Sequence, residues 1–277
     1  MKPLFNIPGE GAFPFIMGLI SGYPIGAKIV TDLVNKKLCT KEEGERMLAF
    51  TNNSSPLFII GTVGITLFKN ITIGILLFLT HILSSITVGI ILKFFSKKET
   101  SYNNKKINTS SNVKSAYSYK VPINFSDLGE ILGNCIKNSI TTTLMIGGFI
   151  VLFSVILSIL NNSKVINMIS TIFKPIFDFL HIPNILVSPF FSGIIELTNG
   201  ISLISNIAIK SLSLPIILSA FLLGFGGFSI LLQIFSIVSK SGLSIKKYIL
   251  GKLMQGFIAA IYTFIAIKFF PFLSFII

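Results

Sequence analysis

Tryptophan is absent, and acid is scarce. Ten Asp and Glu residues stand against 23 Lys and Arg in 277 residues, and charged residues make up only 12% of the chain. Soluble domains carry about 25% charged residues, so this chain has too few to cover a water-exposed surface. Histidine occurs twice, at His81 and His181, far from each other and from any obvious nucleophile. His81 falls in an apolar run, where a hydrogen bond to a neighbouring helix is expected rather than base chemistry. The two cysteines, Cys39 and Cys135, have neither metal-site spacing nor the number a disulfide framework needs. No catalytic centre, no metal site and no cofactor is expected, and the chain does not read as an enzyme. Period-two alternation is missing as well, which argues against a β-barrel.

The net charge of +13 invites a nucleic-acid reading, but the placement of the charge excludes it. Lysines gather at 93–98, 105–120 and 240–252, between apolar blocks. That is the pattern of cytoplasmic loops under the positive-inside rule. The expected partner is the lipid bilayer, with no nucleic acid; a homo-oligomer is compatible with the sequence.

A bilayer span needs roughly 20 apolar residues. Residues 71–92, 141–160, 216–238 and 253–277 meet that need. Between them lie apolar stretches interrupted by helix breakers: 11–27, with Gly22, Pro24 and Gly26; 50–68, with Asn52, Asn53, Ser54 and Pro56; and 186–209, with Glu196, Thr198 and Asn199. Irregular backbone at membrane depth is tolerated only where protein buries it or a wet cavity borders it. Such breaks are where transporters keep their binding sites. Residues 96–124 are of another kind, rich in Lys, Ser, Asn and Tyr, and read as a solvated cytoplasmic linker.

The halves on either side of this linker resemble each other. Ser21-Gly22 matches Ser192-Gly193, Ala49-Phe50 matches Ala220-Phe221, and the run 90–95 matches 265–270, in the same order. Charge orients them oppositely. Residues 28–46 hold Lys28, Lys36, Lys37, Lys41 and Arg46, whereas the matching 199–217 hold only Lys210. The last span of repeat one carries its basic flank after it. That of repeat two carries its flank before it, at Lys240, Lys246, Lys247 and Lys252. The expectation is an all-α polytopic membrane protein of two inverted-topology repeats with broken or re-entrant helices, in about six to eight membrane segments. Residues 1–95 form the first repeat, 96–124 the linker and 125–277 the second repeat. A counterpart of the span at 141–160 is missing ahead of Ile7, so the expectation is either a further span N-terminal to this sequence or a first repeat that is naturally short.

Glu196 is an acid inside an apolar stretch, where a carboxylate is costly unless hydrated or paired, so it is a functional candidate. The alternative is a structural pair with a lysine of the other half, such as Lys28. Asn52, Asn53 and Ser54 open a helix ahead of Pro56 and can present polar groups at a helix start. With Glu196, Thr198 and Asn199 they form the expected substrate-binding set. Gly22, Pro24, Gly26, Gly226 and Gly227 are the expected break or gating residues. Gln233 reads as a structural buried amide. The run Glu42-Glu43-Gly44-Glu45-Arg46 is near an intramembrane protease pattern but one residue short of it. It fits better as an acidic helix start capped by Thr40.

The segments 21–28, Glu45-Arg46 and 50–59 resemble the sporulation integral membrane protein YlbJ family, grouped with the nucleoside-recognition Gate domain proteins. The runs 195–200 and 225–229 look like its second-half motifs. The resemblance implies a multi-pass protein of the bacterial cell membrane, needed for sporulation. Its Gate label does not by itself establish a nucleoside substrate. The expected function is movement of a small polar solute across the membrane. The alternative is a non-transporting scaffold for sporulation machinery, which would have a sealed core and a fully paired Glu196.

Overall fold

The structure, a computed structural model, describes residues 1–95, 125–209 and 211–269. The expected cytoplasmic linker 96–124, Lys210 and the last eight residues of the expected final span lie outside the described residues. All regular structure among the described residues is helical. In chain order, the first stretch comprises α1 (Lys2–Phe5), α2 (Ala12–Ser21), α3 (Ile25–Asn35), α4 (Lys41–Thr51), a π-helix π1 (Leu57–Leu67) and α5 (Ile71–Phe94). The second comprises α6 (Phe125–Asn162), α7 (Val165–Phe179), α8 (Val187–Ile195), α9 (Leu197–Ser205), α10 (Ser213–Phe225), α11 (Gly227–Val238) and α12 (Lys246–Phe269).

Local sequence accounts for several boundaries. Thr40 and Glu43 form a capping box on α4: Thr40 Oγ1 accepts from the Glu43 amide at 3.2 Å and Glu43 Oε2 accepts from the Thr40 amide at 2.8 Å. The acidic run is therefore a helix start. Asn70 Oδ1 caps α5 through the Thr72 and Ile73 amides. Ser55 Oγ accepts from the Phe58 amide at the entry to π1.

Among the described residues, four stretches are long and apolar enough to cross a membrane: Ile71–Phe94, Leu128–Asn162, Ser213–Val238 and Lys246–Phe269. They cover three of the expected spans in full and residues 253–269 of the fourth, with three differences. The second is much longer than expected. The third is two helices, α10 and α11, meeting at Gly226. The fourth begins at Lys246, so Lys252 is inside the helix and fully buried, not on a basic flank.

Two apolar cores hold the helices together. One gathers Phe5, Val30, Met47, Phe50, Ile234 and Tyr248; the other gathers Ile59, Val63, Ile73, Ile201, Ile216 and Leu222. Each draws on residues from both sides of the 96–124 stretch. The sequence division at that stretch therefore separates two lengths of chain but not two cores. Between α5 and α12, Thr80 bonds Thr263 at 3.0 Å and Thr87 bonds Tyr262 at 2.8 Å. Such interhelical hydroxyl contacts hold helices together where lipid removes the hydrophobic drive.

Close approach supplies the rest. At the α10–α12 crossing, a Cβ on Gly224 would stand 2.7 Å from Gly256 Cα and 2.8 Å from the Gln255 carbonyl oxygen. Neither backbone can give way without moving its helix. Overpacking of this kind destabilises by about 1–3 kcal/mol or more. Gly224→Leu is expected to lower the thermal unfolding midpoint of the detergent-solubilised protein, whereas Gly147→Leu, on the open side of α6, leaves it unchanged. A midpoint unaltered in Gly224→Leu refutes this packing.

Candidate functional site

Four interruptions of helix define the site. The first is Gly22, at φ +79°, between α2 and α3. The second is the extended segment 52–55 between α4 and π1. Glu196, extended between α8 and α9, is the third. The fourth is Gly226-Gly227, at φ +88° and +79°, between α10 and α11. Positive φ is strained for residues with a Cβ, and glycine removes that strain.

These breaks touch one another. A Cβ on Gly22 would sit 3.0 Å from the Cβ and amide nitrogen of Ser55. One on Gly227 would sit 3.1 Å from the Gly193 carbonyl oxygen and 3.3 Å from that of Ile194. One on Gly226 would sit 3.4 Å from the Tyr23 hydroxyl. The last contact joins a break of the first stretch to a break of the second. Gly26, expected in a break, lies instead in the first turn of α3, where its missing side chain lets the helix rest on the Thr51 carbonyl.

A cavity of about 200 Å³ opens where the breaks meet. One water needs roughly 15 Å³ of such space, so the cavity has room for a small molecule. Tyr23, Ser54, Glu196, Thr198, Ser229 and Gln233 give it polar groups, and Phe58, Phe149 and Ile150 give it an apolar wall. Glu196 is 2% exposed. Its carboxylate accepts from the Thr198 amide at 3.1 Å and the Asn199 amide at 2.7 Å. It thus caps α9, where the helix dipole favours negative charge. It does not pair with Lys28, whose ammonium donates to Thr142 Oγ1 at 3.5 Å. Ser54 Oγ and Gln233 Nε2 are buried and make no hydrogen bond within 3.5 Å among the described residues. Buried polar groups are nearly always satisfied in folded proteins, so these two stand out among the residues that line the cavity.

The expected binding set divides. Ser54, Glu196 and Thr198 line the cavity. Asn199 turns to α6, donating through Nδ2 to Ser154 Oγ at 2.9 Å. Asn52 and Asn53 turn into the protein and do not line the cavity. Asn52 Oδ1 accepts from the Ala27 amide at 3.4 Å, and its Nδ2 donates to the Tyr248 hydroxyl at 3.0 Å. Asn53 Nδ2 donates to the Phe50 carbonyl at 2.8 Å, while its Oδ1 accepts from Gln255 Nε2 at 3.0 Å. His81 bonds not a neighbouring helix but the segment between α4 and π1: its Nε2 accepts from the Ser54 amide at 3.2 Å.

Behind Tyr23 lies a cation that the sequence disguised. Lys252 is 0% exposed. Its ammonium donates to the Tyr23 hydroxyl at 3.3 Å and to Gln255 Oε1 at 2.8 Å, and it lies 5.2 Å from the Tyr23 ring centre. Both hydrogen-bond partners are neutral. Lys252 was missed because it stands among the flanking lysines in sequence. Ser229 and Gln233 had a visible signal, a polar pair four apart in an apolar helix, hence on one face. Lys252→Met fills the same space without a charge and is expected to leave stability unchanged or raise it. Gln255→Leu strips the ammonium of a partner and is expected to destabilise by about 1.5–3 kcal/mol. Thermal unfolding in detergent checks both, and equal losses in the two variants contradict this account of the network.

Residues 143–242 match the Gate family, described as nucleoside recognition. That match runs from within α6 through α7 to the end of α11, with two of the four breaks. Over 272 residues, 97% of the chain, the sequence is 36% identical to the sporulation integral membrane protein YlbJ of Bacillus subtilis (strain 168). The chain spans 66% of the length of that relative. No solved structure matches it. The match runs through all four breaks and all four apolar spans, and the chain belongs to the family of the sporulation integral membrane protein YlbJ.

Proposed function

We propose that this chain acts in sporulation by moving a small polar solute across the bacterial cell membrane, through the cavity where the four helix breaks meet. One observation carries the reading: a half-open cavity is lined by a carboxylate, Glu196, beside Ser54 and Gln233, whose Oγ and Nε2 have no hydrogen-bond partner within 3.5 Å among the described residues. A membrane protein gains nothing in stability from such groups, since each leaves a desolvation penalty unmet. They make sense as contacts for a hydroxyl- or amide-bearing solute. The description of the matched family makes nucleosides one class to test. The reading needs no catalytic centre.

The inverted repeat is part of this proposal. The order short helix, break, short helix, then helix, break, helix, then a long helix occurs in α2–α5 and again in α8–α12. The long helices α5 and α12 each contain 24 residues. With opposite orientations, set by the basic residues at 28–46 and within 96–124, the breaks converge near the middle of the membrane, as in other transporters of this kind. The short paired helices supply the segments beyond the four long spans. A scaffold would be expected to have a sealed core, and the cavity speaks against that reading.

The test compares solute contents of spores from wild type, Glu196→Gln and Ser54→Ala at matched protein level. Loss of a charge-assisted hydrogen bond is worth about 1.5–3 kcal/mol. One solute is therefore expected to fall about tenfold or more in Glu196→Gln and less in Ser54→Ala. Unchanged solute profiles with normal sporulation in both variants would overturn the proposal.

A further inference from the structure

Two more cavities lie beside the central one, and α6 borders all three. One, of about 280 Å³, is bordered by Lys28, Asn138 and Thr142, and shares Ser21, Tyr23 and Ile146 with the central cavity. The other, of about 360 Å³, is bordered by Ser154, Asn161, Asn199 and Ser202. Asn199 adjoins Thr198 of the central cavity in sequence. On α6 the bordering residues run Asn138, Thr142, Ile146, Ile150, Ser154 and Asn161. Steps of four and seven set them along one continuous row that winds slowly around the helix. From 138 to 161 the helix rises about 35 Å, against roughly 30 Å for the hydrocarbon core of a bilayer. The row is polar at both ends and apolar at its middle, where the central cavity lies.

The attachment of α6 to the rest of the protein is light. Only 11% of the most apolar part of Leu128–Asn162 is buried, against 72% for Ser213–Val238. Among the described residues its side chains make two hydrogen bonds to other elements, one at each end of the row. Thr142 Oγ1 accepts from Lys28 Nζ at 3.5 Å, and Ser154 Oγ accepts from Asn199 Nδ2 at 2.9 Å. The first closes the space between α6 and α3; the second closes the space between α6 and α9, next to the Asn199 amide that donates to Glu196.

We propose that the solute route runs along this row of α6, with the Lys28–Thr142 and Ser154–Asn199 contacts as the latches of its two mouths. The inference rests on the transport reading and gives it a path and a moving wall. Opening the Lys28–Thr142 latch joins the central cavity to one side of the membrane, and opening the Ser154–Asn199 latch joins it to the other. Holding either contact shut stops passage without altering Glu196, Ser54 or Gln233.

The experiment starts from the full chain with Cys39→Ser and Cys135→Ser. Asn138→Cys, Asn161→Cys and, as a control on the opposite face of α6, Leu144→Cys are introduced singly. A charged, membrane-impermeant methanethiosulfonate is applied from each side of sealed vesicles. Asn138→Cys is expected to react from one side, Asn161→Cys from the other, and Leu144→Cys from neither. Reaction of the first two from the same side, or of neither in folded protein, overturns the route. In a second arm, Ser154→Cys with Asn199→Cys is oxidised to a disulfide. Accumulation of the solute that depends on Glu196 is expected to drop at least tenfold and return on reduction. A formed bridge with unchanged accumulation overturns the latch. If labelling shows the two-sided pattern while Glu196→Gln leaves all solutes unchanged, the transport reading fails and the water-filled route stands. If Glu196→Gln abolishes accumulation while both cysteines react from one side, the route alone fails.

Discussion

Peptide groups cannot be left without hydrogen-bond partners where water is excluded, and four interruptions of helix in this chain sit in such a place. The rest of the arrangement answers that constraint. Asn52 ties the segment between α4 and π1 to α3 and α12 at once. Asn53 ties the same segment to Gln255, and His81 of α5 takes the Ser54 amide. Glu196 takes the two free amides that open α9. Each of these bonds consumes a polar side chain that the sequence spends inside an apolar stretch. Among the polar side chains that keep an atom without a partner among the described residues, Ser54 and Gln233 line the space where the breaks meet.

The same bonds knit the two lengths of chain together. Tyr248, Lys252 and Gln255 lie on successive turns of α12 and reach Asn52, Tyr23 and Asn53 of the first stretch. A buried ammonium with neutral partners is expensive to keep, and charges of this kind in membrane proteins mark function by default. Here it stands directly behind Tyr23, a residue shared by two adjoining cavities. Glycines at Gly224 and Gly256 permit the close crossing that sets α12 in this position.

The large features were legible in the sequence for physical reasons. Low charge and long apolar runs announce a lipid-embedded chain, and Gly22, Asn52 to Ser54, Glu196 and Gly226 announce interruptions because each breaks or caps a helix. Direction was not legible. Asn52, Asn53 and Ser54 are consecutive, yet the first two side chains turn into the protein while Ser54 lines the cavity. Only the packed partners decide which one meets the cavity, and they left it to Ser54. The depth of Lys252 was hidden because α12 starts earlier than its apolar run, so a lysine within the helix looked like part of the flank. The π-helical form of Leu57–Leu67 has no local signature that separates it from an ordinary apolar helix.

The claim beneath all of this is that a break in the first stretch is held by side chains of the second. A double-mutant cycle on Asn52→Ala and Tyr248→Phe, read by thermal unfolding in detergent, measures that coupling directly. The account predicts that the double variant is less destabilised than the sum of the single ones, by about 0.5–3 kcal/mol. Effects that add within about 0.3–0.5 kcal/mol would mean that the two residues do not interact, and would contradict it.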